Sequence, residues 1–417
     1  MNFFIVLQLK KYKLFVVASK LRPNIKYVNF AKRIICIIFH VRKFKRMSNR
    51  KPGFLRFVFL WPMSLIYKII GDIRNFMYDN GTLKSKEYDL PVISIGNISV
   101  GGTGKTPHVE YVVRLLKSDY KTAVLSRGYK RKTRGFRIVE SNDDYTLCGD
   151  EPLQIKRKFG DDIVVAVCES RTKGVEKLRE LYPDLNLIIL DDAFQHRRIN
   201  PGLHILLNNY NYPISEDYVM PLGRLRESKF NVHRAHLLIY TNCPSTLTPI
   251  ERRILTKEFG VLPYQHLSFT QVVYKDPLPV FADQSQIDYE SLKNCNVLVV
   301  TGIAHPDNFV EMMKGKSKGL VHISYSDHHN FVGSDIAKIQ AAYDGMSGPK
   351  VIVVTEKDAV RFMSNKYLSD ELKSKMYYIP IEIELLCSDE EKVQFNNQII
   401  SYVRNNKRYN KLYNNPL

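Results

Sequence analysis

The residues best equipped for chemistry begin with "SIGNISVGGTGKTP", residues 94–107. The stretch is nearly a phosphate-binding loop, G-x-x-x-x-G-K-[ST], but Ser99 stands where its first glycine belongs. In such a loop the glycines let backbone N–H groups converge on phosphate oxygens, and the following helix adds a partial positive charge. Ser99, Val100, Gly101, Gly102, Thr103, Gly104, Lys105 and Thr106 are therefore expected to cradle a nucleotide. Lys105 would neutralise the β and γ phosphates, and the Thr106 hydroxyl would bind Mg²⁺. A phosphate loop also needs a carboxylate at a neighbouring strand end to serve the metal. "NLIILDDAFQH" supplies Asp191 and Asp192 after an apolar run. Two adjacent carboxylates at such an edge repel unless a cation or hydrogen bonds offset them.

Further polar clusters read as loops following strands, the edge where open α/β sheets bind ligands. "CGDEP" offers Asp150 and Glu151, "ESRTKG" offers Arg171, "MPLGRLRE" offers Arg224, Arg226 and Glu227, and "SRGYKRKTRG" is strongly basic. "SYSDHHNF" places Asp327, His328 and His329 together. Adjacent histidines cannot share one metal on a helix or strand face, which argues against zinc. A histidine reaching an aspartate across a cleft could support a general base.

Positioning these groups requires an α/β scaffold. Short β-branched runs at 91–95, 121–125, 163–167, 187–190, 204–207 and 236–240 alternate with helical patterns, which implies a parallel sheet covered by helices. Val109, Val112, Val113 and Leu116 fall at i, i+3, i+4, i+7, one apolar stripe on the helix after the loop. Residues 244–250 and 266–281 are turn-rich and strand-like, and a second alternating block starts at 296. The expected architecture is a P-loop (RecA-like) parallel sheet with helices on both faces over 81–265. A β-ribbon linker at 266–290 would lead to a smaller C-terminal α/β domain at 291–405 and a tail at 406–417.

The chain has 417 residues and a net charge of +20, but 16 Lys and Arg and no Asp or Glu lie in residues 1–71. The charge therefore belongs to the N-terminus. With aromatic residues interspersed, that pattern suits a membrane surface better than a nucleic-acid groove. Six scattered cysteines without a C-x-x-C pair argue against zinc and against a disulfide framework, and fit a reducing cytoplasm. Residues 1–46 read as a basic extension, with Met47 as an alternative start. Residues 47–80 read as an amphipathic segment lying in a membrane interface, because the densest apolar run, Phe57–Leu60 with Trp61, is too short to span.

Taken together, "RNFMYDNG", "PVISIGNISVGGTGKTP", "LSRGYKRKTRG", "GDEP", "LDDAFQH", "MPLGRLRE", "TGIAHPDNF", "SDHHNF" and "VVTEKDAVRF" resemble the tetraacyldisaccharide 4'-kinases (lipid A 4'-kinases) of Gram-negative envelope synthesis. The serine in "SVGGTGKTP" is itself family-like, whereas Ala193 stands where the family usually has glycine. The resemblance implies phosphoryl transfer from MgATP to the 4'-hydroxyl of a tetraacylated glucosamine disaccharide 1-phosphate, giving lipid IVA. It implies that Asp150 takes or orients the hydroxyl proton, paired with His328, while Lys105 is catalytic. It further implies that Thr106, Asp191 and Asp192 serve Mg²⁺ and that Glu151, Arg171, Arg226 and Glu227 line the site. The enzyme would be a monomer on the cytoplasmic face of the inner membrane, with no nucleic-acid partner. The competing reading is a P-loop ATPase or GTPase switch of the partitioning or metal-insertion type. Those proteins carry a signature lysine early in the loop, where this chain has Val100.

Overall fold

The computed structural model describes residues 4–9, 12–17, 52–282 and 284–406. It divides into two compact units, Met1–Phe59 and Leu60–Leu417. In the first, β1 (Phe4–Leu9) and β2 (Tyr12–Val17) form an antiparallel hairpin in which Phe4 faces Val17. Met47, most of the basic extension, and the tail beyond Asn406 lie outside the described residues.

Helix α1 runs unbroken over Phe54–Asp79. By length and apolar composition alone it is sufficient to cross a membrane, although its densest apolar run, Phe57–Leu60, is short. Its side chains are arranged inside out. Phe59, Ile66, Ile70 and Phe76 are each at least 60% exposed, whereas Ser64 and Asn75 are buried. Polar groups make its contacts with the protein. The Ser64 hydroxyl donates to the Val219 carbonyl, Tyr67 Oη donates to the Arg226 carbonyl at 3.1 Å, and Asn75 Nδ2 donates to Glu227 Oε2 at 3.2 Å.

The larger sheet has nine strands. In chain order they are β3 (Val92–Gly96), β4 (Thr122–Ser126), β5 (Arg137–Ile138), β6 (Ile163–Val167), β7 (Leu187–Asp191), β8 (Leu203–Asn209), β9 (Leu237–Thr241), β10 (His266–Tyr274) and β16 (Ile381–Leu385). Their spatial order is β16-β10-β9-β8-β3-β7-β4-β6-β5, parallel except at the two edges. Every residue of β3, β4, β7 and β9 is buried, as a parallel sheet covered on both faces requires. Helix α2 (Lys105–Leu116) buries Val109, Val112, Val113 and Leu116 to 3% exposure or less. Each such side chain stabilises the core by roughly 1.5–3 kcal/mol. Around this sheet lie α3 (Tyr145–Cys148), α4 (Asp150–Phe159), α5 (Arg171–Leu181) and α6 (Pro249–Phe259).

The second sheet is ordered β11-β15-β14-β12-β13. It comprises β11 (Leu278–Pro279), β12 (Asn296–Thr301), β13 (Gly319–Ser324), β14 (Lys350–Thr355) and β15 (Met376–Ile379), with α7 (Tyr289–Lys293), α8 (Asp307–Lys314), α9 (Gly333–Asp344), α10 (Glu356–Met363) and α11 (Asp370–Lys373).

Two features depart from the expected boundaries. Residues 266–274 form no free ribbon, because β10 pairs parallel with β9 inside the larger sheet. The chain also returns to that sheet after β15. Strand β16 pairs antiparallel with β10, and helix α12 (Asp389–Arg404) places Phe395, Ile399 and Val403 in one core with Ile93 and Ile95 of β3. Tyr402 Oη donates to the Val92 carbonyl at 3.0 Å and accepts from its N–H at 3.1 Å. Apolar periodicity in 381–404 marks a strand and a helix but carries no information on which core they cover.

Candidate active site

The phosphate loop joins β3 to α2. Gly104 holds φ 77° immediately before the helix and Gly101 holds φ 110°, left-handed values that glycine adopts without a Cβ penalty. Ser99 is not at such a turn. It forms an antiparallel bridge with Leu225, flanked by Val100 N–H donating to Arg224 O at 2.8 Å and Arg226 N–H donating to Ile98 O at 2.7 Å. The position is extended and backed by "GRLRE", so a small L-residue serves where the general motif uses glycine. Asn97 Nδ2 donates to Thr103 Oγ1 at 2.7 Å and Asn209 Nδ2 to Gly102 O at 2.9 Å, so the loop is held before any ligand arrives. His108 fixes the helix behind it, contacting Gly104 O at 2.7 Å and Thr270 Oγ1 at 3.1 Å. Burial pushes this imidazole down to about 4, so it is neutral.

Asp191 ends β7 beside Ile95 of β3 and is 1% exposed. Its Oδ2 accepts from Ser126 Oγ at 3.1 Å, and its Oδ1 is buried without a hydrogen-bond partner. Burial, then Glu151 and Asp192, push its carboxyl up to about 7. Asp192 carries the left-handed φ of the turn, 47°; the positive φ thus falls on an aspartate, which tolerates it, and not on Ala193. Its carboxyl is lowered, because Lys105 (3.8 Å) and Arg226 (3.1 Å to both oxygens) outweigh burial. An unpartnered buried carboxylate oxygen at the end of the strand next to β3, which leads into the phosphate loop, suits a divalent cation. Among the described residues no three His, Cys, Asp or Glu side chains form a ready cage. That donor set matches Mg²⁺, which takes one or two protein ligands and completes its shell with phosphate and water.

Two residues expected to line the site are committed elsewhere. Arg171 is 2% exposed and donates to Cys168 O at 2.8 Å and Asp191 O at 2.9 Å, so it braces the end of β7 from behind. Glu227 is 6% exposed. Its oxygens are taken by Gln195 (2.8 Å), Arg234 (2.6 Å) and Asn75 of α1 (3.2 Å). Both side chains hold the site and neither opens into it.

Asp150 begins α4 and is 5% exposed. His328 reaches it from the loop after β13, with Nδ1 at 2.9 Å from Asp150 Oδ2. His328 adopts φ 57°, its N–H donates to Gly302 O at 3.2 Å, and its ring meets Tyr129 edge-on at 5.3 Å. Arg361 of α10 donates to the same Oδ2 through Nε at 3.1 Å and through Nη2, and is itself held at 2.6 Å by Asp358. Burial opposes ionisation of Asp150, but His328, Lys357 and Arg361 together outweigh it and hold the carboxyl well below the usual range. The loop that carries Gly302 continues to His305, whose ring lies 3.7–3.8 Å from where a Cβ on Gly101 or Gly102 would stand. The Asp150–His328 pair and the phosphate loop are thus served by one loop of the second sheet.

A phosphate loop beside a buried Asp–His pair narrows the chemistry to phosphoryl transfer, and comparison with known proteins fixes the family. The tetraacyldisaccharide-1-P 4'-kinase pattern matches residues 56–401. The chain belongs to this family. It is therefore an enzyme, a kinase of lipid A biosynthesis, and the partitioning or metal-insertion switch finds no support. The tetraacyldisaccharide 4'-kinase of Bacteroides thetaiotaomicron is 44% identical over 84% of this chain and 94% of its own length. That of Phocaeicola vulgatus is 42% identical over 84% and 96%. Among solved structures, LpxK from Aquifex aeolicus in complex with ATP aligns with a TM-score of 0.63 and 28% identity, covering 84% of this chain and 99% of that one.

In this kinase family member, sequence reasoning assigned no role to Lys357, Asp358 or Arg361, which surround the Asp–His pair. The available signal was "TEKDAVRF": a lysine and an arginine four apart in a helix that follows the apolar run VIVV.

Proposed function

We propose that this protein transfers the γ-phosphoryl group of ATP to the 4'-hydroxyl of a tetraacylated glucosamine disaccharide 1-phosphate, with His328 as the general base. The observation carrying this reading is the 2.9 Å contact of His328 Nδ1 with Asp150 Oδ2. Asp150 Oδ2 already faces three donors, two from Arg361 and one from His328, and its ionised form is strongly favoured. It is therefore a poor proton acceptor. It holds the imidazole with Nδ1–H toward itself and leaves the lone pair on Nε2. The acceptor O–H proton passes to Nε2, and the 4'-oxygen bonds to the γ-phosphorus. The bond from γ-phosphorus to the bridging oxygen breaks, its electron pair staying with ADP. Asp150 then stabilises the imidazolium.

The loop's backbone N–H groups and Lys105 bind the phosphates and offset charge on the phosphoryl group in flight. Thr106 and Asp191 would hold Mg²⁺, with Asp192 tied to Lys105 and Arg226. There the ion would supply charge neutralisation to the phosphates. Helix α1, apolar outward and polar inward, supports a seat for the site at a membrane, where an acylated acceptor resides. Residues Ser64, Tyr67 and Asn75 join that helix to the segment carrying Arg226 and Glu227.

Purified protein given MgATP and the disaccharide 1-phosphate should yield a bisphosphorylated lipid with one ADP per product. ATP hydrolysis without lipid phosphorylation would sink the reading.

A further inference from the structure

Lys357 opens α10 and occupies an atom the proposed reaction needs. Its Nζ lies 3.0 Å from His328 Nε2, 3.2 Å from Glu151 Oε1 and 3.5 Å from Asp327 Oδ1. The ammonium form is favoured, since Glu151, Asp150 and Asp327 outweigh the effect of burial. Because His328 Nδ1 faces a carboxylate, Nε2 carries the lone pair, and Lys357 donates an N–H to it. An ammonium cannot keep that contact once Nε2 has taken a proton, since two N–H donors would then face each other beside like charges. The acceptor hydroxyl must displace Lys357 before it can be deprotonated.

The displaced ammonium has a defined neighbourhood. Its second partner, Glu151, helps to raise the carboxyl of Asp191 at the end of β7. The tether from Thr355 is short and well fixed, because Thr355 Oγ1 and Asp358 hold each other at the start of α10. A base at Nε2 takes its proton from the oxygen that attacks the γ-phosphorus, so the anion brought nearest to the displaced ammonium is the transferring phosphoryl group.

We propose that Lys357 is a further catalytic residue of the phosphoryl transfer. It covers the proton-accepting Nε2 of His328 until the acceptor hydroxyl arrives, then moves its ammonium onto an oxygen of the transferring phosphoryl group. Lys357 keeps its proton throughout. The acceptor proton goes to Nε2, the new O–P bond forms at the γ-phosphorus, and the electron pair of the broken O–P bond leaves with ADP. The proposal rests on His328 being the base. It gives the enzyme a way to keep that base masked while ATP is bound without acceptor, so water finds no free Nε2.

The test compares Lys357→Met, Lys357→Gln and Lys357→Arg in the full chain, by steady-state kinetics and by binding of ADP with and without aluminium fluoride, a planar phosphoryl mimic. Loss of a donor to the transition state lowers kcat by about 10²–10³-fold. Met and Gln are expected to show that loss with KM for ATP within about threefold of wild type, because the contact arises only in the transition state. They should also lose affinity for ADP–aluminium fluoride while binding ADP normally, and Arg should keep most of that affinity. A mere ion pair between Glu151 and Asp327 would weaken ADP and its fluoride complex together, and that result overturns the proposal. So does kcat near wild type in Met and Gln, or Arg losing the mimic as fully as Met. His328→Ala measured in parallel separates the two readings: an active alanine variant removes the base assignment, whereas an inactive one alongside an active Lys357→Met removes only the role of Lys357.

Discussion

Lys158 sits at the far end of the helix that Asp150 begins, and Lys158→Met tests what holds the two sheets in register around the site. Its Nζ is 2.7 Å from Glu110 Oε2 on α2 and 2.7 Å from Glu356 Oε1 on α10. One ammonium thus ties the phosphate-loop helix, the Asp150 helix and the Arg361 helix together. Glu110 is fully buried, and burial, with Glu356 nearby, pushes its carboxyl up to about 7. A carboxyl raised in the folded state keeps a proton that the unfolded chain has released. Stability therefore falls as pH rises from the ordinary glutamate range to about 7, and is then flat for this group. Removing Lys158 leaves Glu110 with Gln154 Nε2 at 2.9 Å and the more distant Arg114 guanidinium at 3.7 Å, and drives its carboxyl higher still. Breaking a buried pair by deleting one partner costs about 3–5 kcal/mol. The penalty should be smaller at pH 6, where protonated Glu110 needs no counter-charge. Above pH 7 the variant should keep losing about 1.4 kcal/mol per pH unit while wild type does not. Urea unfolding followed by circular dichroism at pH 6, 7 and 8 measures both slopes. An equal loss at pH 6 and pH 8, or a loss below about 1 kcal/mol at pH 8, would refute the reasoning.

Lys105→Ala should abolish turnover, by at least about 10²-fold in kcat, because it removes a charge from the transferring phosphoryl group; near-normal kcat in the lipid kinase assay would defeat the loop assignment. Asp150→Asn keeps the shape but loses the charge that stabilises the imidazolium. It should lower kcat by about 10²–10⁴-fold with little change in KM for ATP, whereas a matching rise in KM would make Asp150 a nucleotide ligand. Ile66 and Ile70 of α1 are 60% and 63% exposed. Ile66→Asp with Ile70→Asp should release the protein from anionic vesicles in a flotation assay and leave its melting temperature unchanged, at a membrane cost on the order of 2.5–3.5 kcal/mol per aspartate. Vesicle binding equal to wild type would exclude α1 as the membrane contact.

Local chemistry was the legible part of this sequence. Glycine and proline punctuation, a strand ending in Asp191–Asp192, and the "GDEP" and "SDHHNF" stretches mark ligand-facing edges because such residues are costly anywhere else. Spacing alone could not say that Arg171 and Glu227 face inward, since a buried arginine spent on carbonyls and one aimed at a ligand look identical in sequence. Lys357 and Arg361 were missed for the converse reason. Nothing in their spacing says that Arg361 is buried against Asp150 of α4 or that Lys357 stands half-buried beside His328. Helix α1 was legible as an amphipathic helix; composition alone could not say that Ser64, Tyr67 and Asn75 are among the groups by which it meets the rest of the protein.

The return of the chain after β15 has a consequence for how the protein is made. Strand β3 and its phosphate loop leave the ribosome long before β16 and α12. Until those last elements arrive, β10 presents a bare edge, and Ile93 and Ile95 lack the cover of Phe395, Ile399 and Val403. Long-range closure of this kind is slow and leaves sticky surface exposed meanwhile. The nucleotide lobe cannot mature ahead of the rest, so a nascent chain halted before Ile381 carries the whole phosphate loop but no sealed core. Abortive translation would therefore yield substrate for chaperones and proteases, and not a free nucleotide-binding fragment.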